Sequence, residues 1–327
     1  MPVPARIATF LIACVAALMN VGAATEVFSQ NPFQRGWKLF NDEGLFSWNS
    51  QAGRLDVIWD SSRTNSYFYF PAGTVLSRSD DFSFSLDLHL NEITGGAHPG
   101  RPSTFQLSVG FLNLQDATQT NFFRGSGDTP NLAEFNYFPD TGFGPTIWPA
   151  IWSTNAALNY NGSQDYTLKA LPVGVTLRLT VAYAASNQTV VTTITTNGVS
   201  IGTIKPVVLN NFFTDFRVNA FAVMSYSDFG QDSGFPGSIW ARGFVDNIAI
   251  TVPPPPVTQM QFQFLEGQAN VTFLSRTNWA YFLESTPDLN VWQIASGEMN
   301  GTGASMTLSD TNAHLTQRFY RVQARKL

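Results

Sequence analysis

Hydrophobic positions recur every second residue over much of the chain. Phe82, Phe84, Leu86, Leu88 and Leu90 alternate with Ser83, Ser85, Asp87 and His89, and Phe105, Leu107, Val109 and Phe111 repeat the arrangement. Successive side chains of a strand point to opposite faces, so this spacing predicts strands with one face buried. Val175, Leu177, Leu179, Val181 and Tyr183 form a further set, followed by Ser186-Asn187-Gln188 and a β-branched run from Thr189 to Thr196. Asn197-Gly198 then predicts a hairpin into Val199 to Ile204, since that dipeptide accepts the positive φ values of a type I′ turn. Arg54 to Trp59, Tyr67 to Phe70, Phe216 to Tyr226 and Phe244 to Val252 read as additional strands. No amphipathic helix of ten or more residues is evident. Many strands joined by Gly and Asn turns, with no helices between them, predict an all-β antiparallel sandwich or barrel rather than a parallel α/β sheet.

Four consecutive prolines, Pro253 to Pro256, cannot enter a sheet interior and favour an extended spacer. They divide the chain into a leader at 1–24, a body at 25–252, a linker at 253–257 and a tail at 258–327. The tail repeats the strand pattern at Gln261 to Phe264, Asn270 to Leu274, Trp279 to Glu284, Val291 to Ile294, Ser305 to Leu308 and Arg318 to Gln323, which predicts a small β-sandwich. In the leader, Arg6 is followed by the apolar stretch Ile7 to Met19 and the small residues Val21-Gly22-Ala23-Ala24, the pattern of a secretory signal with the mature chain starting near Ala24 or Thr25. The apolar run is shorter than the ~20 residues a membrane span requires. Leu11-Ile12-Ala13-Cys14 resembles the lipobox of bacterial lipoproteins, which makes anchoring at Cys14 the alternative to free secretion.

Composition narrows the function classes. Charged residues are 13% of the chain and the net charge is −5, with all of the excess in the body, which holds twelve basic and eighteen acidic residues. A nucleic-acid binder needs a basic face to neutralise phosphates, and none is available. The 28 Phe and 8 Trp exclude a disordered chain, and the single Cys excludes disulfide frameworks and Cys-based zinc sites. Oligomeric state is not legible. Four Asn-x-Ser/Thr sequons, at Asn161, Asn187, Asn270 and Asn300, mark surface turns if the host glycosylates.

Residues 132–145, Leu-Ala-Glu-Phe-Asn-Tyr-Phe-Pro-Asp-Thr-Gly-Phe-Gly-Pro, carry the main candidate chemistry. Glu134 and Asn136 share one face of a strand, and Asp140 falls where the strand gives way to a Gly-containing turn. Oxygen ligands in this arrangement could bind Ca²⁺, but the spacing favours hydrogen bonding within a twisted loop, because cation sites usually need more carboxylates. The stretch resembles the metal-binding segment of legume-type lectins in the concanavalin A-like jelly-roll superfamily. The resemblance implies a jelly roll over roughly residues 27–252, a carbohydrate or cell-surface glycan as partner, and Glu134 and Asp140 as metal ligands. It also shows departures: Asn136, Pro145 and Ala150 stand where that family has Asp, Asp and His, so its two-metal site is not expected and no other cofactor is implied.

Glycoside hydrolases of the same superfamily use two neighbouring carboxylates. Glu134 matches the first, but the partner positions hold Phe138 and Pro139, which transfer no proton. A hydrolase would then need carboxylates elsewhere, such as Asp56, Asp60 or Glu92. The histidines His89, His98 and His314 lack an accompanying nucleophile motif and are expected to face solvent. Phe122, Phe123, Phe138, Phe143, Trp148 and Trp152 lie close together in sequence, and exposed rings stack on sugars. Trp148 and Trp152 flank Pro149 and are expected on loops; with Asn136 and Phe143 they are the candidate ligand-binding residues. The tail segment Tyr281 to Trp292, with Arg318 to Val322, resembles carboxy-terminal modules of exported bacterial proteins, which implies an accessory role. A structural or adhesive surface protein without a small ligand is the remaining alternative.

Overall fold

The computed structural model describes residues 23–124, 131–153, 162–210, 213–231, 236–313 and 317–327. The leader before Ala23, with Cys14, and the positions Asn161 and His314 lie outside the described residues. The chain divides into two compact units between Pro253 and Pro254.

In the first unit the alternating segments pair into two antiparallel sheets of nine strands each. The first sheet runs, in hydrogen-bonded order, Val199–Ser200, Thr189–Thr196, Thr176–Ala184, Phe82–Gly95, Ile239–Thr251, Arg54–Asp60 and Phe46–Asn49, with Ala23–Glu26 added on Ile239–Thr251 and Val207–Val208 on Thr189–Thr196. The second runs Gly162–Gln164, Ala150–Trp152, Leu132–Phe138, Leu107–Leu112, Val218–Ser225, Ser66–Leu76 and Lys38–Phe40, with Thr146–Ile147 added on Leu132–Phe138 and Thr167–Leu168 on Thr146–Ile147. The chain crosses repeatedly from one sheet to the other, so neighbours in a sheet are distant in sequence. This is the all-β, antiparallel jelly-roll sandwich that the period-two pattern and the resemblance led us to expect.

Aromatic rings fill the space between the sheets. Phe82 and Phe84 of the first sheet meet Phe111 and Phe221 of the second, with ring centroids 5.2 Å apart in the Phe82–Phe111 and Phe84–Phe221 pairs. Fully burying each such side chain stabilises the fold by roughly 1.5–3 kcal/mol. Asn197 and Gly198 both take positive φ, as the predicted hairpin turn requires. The strand that follows is shorter than expected, ending at Ser200, because Gly202 at φ +125° turns the chain away from the ladder.

The main departure from the sequence pattern is in the second sheet. Leu107–Leu112 and nearly all of Leu132–Phe138 are buried on both faces, not one. Ser108, Glu134 and Asn136, polar residues expected to meet water, are therefore interior. At Gly110, which pairs with Glu134, an added Cβ would lie 2.6 Å from Glu134 Cα, so only glycine lets the two strands close at this point.

One α-helix occurs among the described residues, the four-residue Leu114–Ala117, capped by Asn113. Ala23 and Ala24, expected at the cleavage site, belong to the strand Ala23–Glu26, which pairs with Ile248 to Thr251.

The second unit contains a three-stranded sheet, Thr258–Leu265, Gln268–Leu274 and Ser305–Asp310, and a four-stranded sheet centred on Trp279–Thr286 and Phe319–Lys326. Phe273, Trp279, Tyr281, Leu283 and Leu308 form its buried interior.

Candidate functional site

The strand Leu132–Phe138 places Phe135 and Tyr137 in the hydrophobic core and turns Glu134 and Asn136 to the opposite face. The Glu134 side chain is 0% exposed, and both of its oxygens are engaged. Arg124 Nε donates to Oε1 at 2.6 Å, and Arg124 Nη2 forms an ion pair with the same oxygen. Asn136 Nδ2 donates to Oε1 at 3.1 Å, and the Tyr226 hydroxyl donates to Oε2 at 2.9 Å. Burial pushes the Tyr226 hydroxyl well above its ordinary pKa, and the neighbouring Glu134 charge adds to the shift. Both carboxylate oxygens are thus engaged, by donors from Arg124, Asn136 and Tyr226.

Asn136 ties this network to the next element. Its Oδ1 accepts from the Ser108 hydroxyl, its Nδ2 also donates to Trp148 O at 3.1 Å, and Trp148 N donates to Asn136 O at 2.8 Å. These bonds hold the Trp148 ring against Phe138, with ring centroids 5.4 Å apart. Trp152 is not on a loop as expected; it ends the strand Ala150–Trp152, paired opposite Leu132, with the Arg124 guanidinium 5.2 Å from its ring centroid. Pro149 starts no helix or sheet of its own, and the short strand paired between Leu132–Phe138 and Gly162–Gln164 begins immediately after it. Three residues are too few for an alternating signal in the sequence.

Trp148, Trp152, Phe138, Asn136, Arg124 and Gln106 surround a recess of about 30 Å³ on this face. Ala150 completes its wall. Gln106 is 2% exposed, and its Nε2 has no hydrogen-bond partner; neither has the buried Trp148 Nε1. Tyr166, 55% exposed, meets Trp148 edge to face at 6.4 Å and extends the aromatic surface outward.

The structure therefore brings together Asn136, Trp148 and Trp152, with Glu134 beneath them. Asp140 and Phe143 stand apart. Asp140 is exposed, its Oδ1 accepting from Gly142 N at 2.8 Å, and Phe143 projects at 85% exposure from the turn Thr141 to Gly144, outside the recess. Among the described residues no group of three or more His, Cys, Asp or Glu side chains is placed to hold a metal. Asp56, Asp60 and Glu92 all belong to the first sheet, where Asp56 pairs with Arg54 at 2.7 Å and Glu92 with Arg242 at 2.7 Å. His98 is not solvent-facing as expected but half-buried, its Nε2 3.2 Å from Asp60 Oδ1. His89 stacks on Phe244 at 4.7 Å.

Arg124, Gln106, Tyr226 and Tyr166 were not legible as site residues. Gln106 lies just before the strand Leu107–Leu112 and Arg124 in the connection between Ala117 and Leu132, where periodicity says nothing about direction, and Tyr226 reaches Glu134 from 92 residues away.

No family model matches the chain, and no curated protein matches it. Among solved structures, a legume lectin-like domain from Entamoeba histolytica is similar at 10% identity and TM-score 0.40, over 70% of this chain and 97% of that one. A peanut lectin with a 9mer peptide is similar at 15% identity and TM-score 0.37, over 71% and 98%. The endo-1,3-beta-glucanase from Streptomyces sioyaensis is similar at 12% identity and TM-score 0.38, over 73% and 100%.

Proposed function

We propose that the first unit is a secreted, non-catalytic carbohydrate-binding domain that meets its glycan at the face of the second sheet around Trp148, with the second unit as an accessory module. The observation that carries this reading is the recess itself: aromatic rings of Phe138, Trp148 and Trp152 beside unpartnered N–H groups of Gln106 and Trp148. Flat apolar rings next to fixed hydrogen-bonding groups suit the mixed faces of a sugar. At about 30 Å³ the recess does not enclose a pyranose, so the ring lies across the aromatic rim and lowers one substituent into it.

A non-catalytic role is supported by the state of Glu134. Hydrolysis needs a carboxylate free to accept or donate a proton beside a second one, about 5 Å away in retaining enzymes. Glu134 is committed to Arg124, Asn136 and Tyr226. Export is supported by the leader pattern at residues 1–24, and among the described residues no helix is long and apolar enough to cross a membrane.

The test is a glycan array with the purified mature protein, alongside a reducing-sugar assay on polysaccharides. Binding to a glycan without sugar release is expected. Hydrolysis abolished by Glu134→Gln replaces this reading with the enzyme, and silence across a broad array replaces it with an adhesive or structural role.

A further inference from the structure

Resting on the carbohydrate reading, the geometry points to the length of the ligand. We infer that the site holds at least two consecutive sugar residues of a polysaccharide chain, the second seated on Tyr166 beside Lys205 and Asp165, rather than one terminal sugar.

The recess among Phe138, Trp148 and Trp152, at about 30 Å³, takes only part of one residue. The aromatic surface continues beyond it. Trp148 stands between Phe138 at 5.4 Å and Tyr166 at 6.4 Å, centroid to centroid, so three rings follow one another from the recess outward. The step from Trp148 to Tyr166 is comparable with the length of one pyranose residue along a chain. A residue over Trp148 therefore places its neighbour over Tyr166, whose 55% exposure leaves ring surface open to solvent.

Tyr166 brings accessible polar groups with it. Lys205 Nζ lies 5.5 Å from its ring centroid and 3.5 Å from Asp165 Oδ1, and the two charged side chains are 59% and 42% exposed. Asp165 Oδ1 also accepts from Tyr166 N at 2.8 Å, while Oδ2 has no partner among the described residues. A charged donor beside a charged acceptor suits the adjacent hydroxyls of a sugar, one hydroxyl accepting from the ammonium and the other donating to the carboxylate. An exposed ion pair of this kind adds little to folding, so the fold does not depend on it. The subsite is also preformed. Thr167 and Leu168 pair with Ile147 and Thr146, and Lys205 N donates to Thr167 Oγ1 at 3.0 Å. The segments carrying Tyr166 and Lys205 are thus bonded to each other and to the strand that precedes Trp148, which lowers the ordering cost of binding.

The experiment titrates the full mature chain with β-1,3-glucan, β-1,4-glucan and β-1,4-mannan oligosaccharides of one, two, three and six residues, and with the same series of any polysaccharide that binds on the array. Calorimetry reads the tighter members and ligand-observed NMR the weaker ones. In at least one series affinity rises about tenfold or more from one residue to three, the scale of one added ring contact with its hydrogen bonds. Tyr166→Ala removes most of that rise and leaves the monosaccharide within twofold, and Lys205→Met, which keeps the stem and removes the ammonium, reduces it. Both positions are exposed, so the variants fold as the wild type does, and the wild-type series stands without them. If affinity is flat with length in every series that binds, or if either variant leaves the rise intact, this inference is overturned while the carbohydrate reading survives. If no series and no array glycan binds, both fall together.

Discussion

Arg124 and Glu134, ten residues apart in sequence, form an ion pair inside the covered face of the second sheet, their side chains 9% and 0% exposed. The pair occupies the place where the sequence resemblance puts a metal ligand, and it supplies the positive charge that the carboxylate needs.

Breaking this pair from one side leaves a buried charge without its partner. Arg124→Ala is therefore expected to lower unfolding free energy by about 3–5 kcal/mol, whereas the double variant Arg124→Met, Glu134→Gln loses considerably less because neither charge is stranded. Urea unfolding of the two variants at neutral pH checks this. A single-variant loss no larger than the ~0.5 kcal/mol of an ordinary surface change would show that the pair is not buried in solution.

The same relationship bears on cations. To bind at Glu134, Ca²⁺ would have to displace Arg124, and Asp140 is engaged in its own turn through Gly142 N. Dialysis against EDTA is expected to leave the thermal midpoint and glycan binding unchanged, with less than one equivalent of Ca²⁺ in the desalted protein. A midpoint that drops on chelation, returns with Ca²⁺ and does so only with Asp140 intact would restore the metal site.

Much of the fold was legible because alternation is a property of neighbouring residues. Phe82 to Leu90 alone fix which face of their strand is buried. The site was legible only where its residues share a strand, as Glu134 and Asn136 do. What converts those two from solvated ligands into an interior network is Arg124, Ser108 and Tyr226, brought in by separate segments. Nothing in local periodicity encodes that covering layer. Trp148 and Trp152 were identifiable as candidates, yet their place in the walls of one recess depends on the backbone bond from Trp148 to Asn136 and on a three-residue strand.

In the second unit, Asp310 gives stability an acid limit. Burial alone would raise its pKa, but hydrogen bonds from Asn312 N, Arg318 and Tyr320 outweigh that and hold it below the ordinary value. A depressed carboxylate contributes stability that is present above its unfolded pKa of about 3.9 and is lost as pH falls through the folded value. The stability difference between wild type and Asp310→Asn is therefore expected to be constant near neutrality and to shrink below about pH 4. Tyr320, pushed up to about 12 by burial and by Asp310, has the opposite sign: its contribution is full below its unfolded pKa near 10 and disappears as pH rises from there toward 12. Chemical denaturation of both proteins across these two ranges reads each limb, and a wild-type-minus-variant difference flat down to pH 2 would contradict the acid one.

Trp148 and Phe143 separate a ring of the proposed binding surface from one that is merely exposed. Both were candidates from sequence, and Phe143 is far the more accessible, at 85%. Accessibility is not what binding requires, since a stacking ring must be fixed in place beside hydrogen-bonding groups. Trp148 is fixed by its backbone bond to Asn136, by Phe138 at 5.4 Å and by Tyr166 at 6.4 Å, and its own N–H is free. Phe143 projects from a turn closed by Thr141 N donating to Gly144 O and takes no part in the recess. Trp148→Ala is expected to weaken glycan affinity about tenfold or more, which corresponds to ~1.4 kcal/mol, while Phe143→Ala stays within twofold of wild type and changes stability by no more than about 0.5 kcal/mol. Titration calorimetry with the tightest array ligand makes the comparison. The opposite ranking, with Phe143→Ala abolishing binding and Trp148→Ala leaving it intact, would move the site from the sheet face to the 140–145 turn.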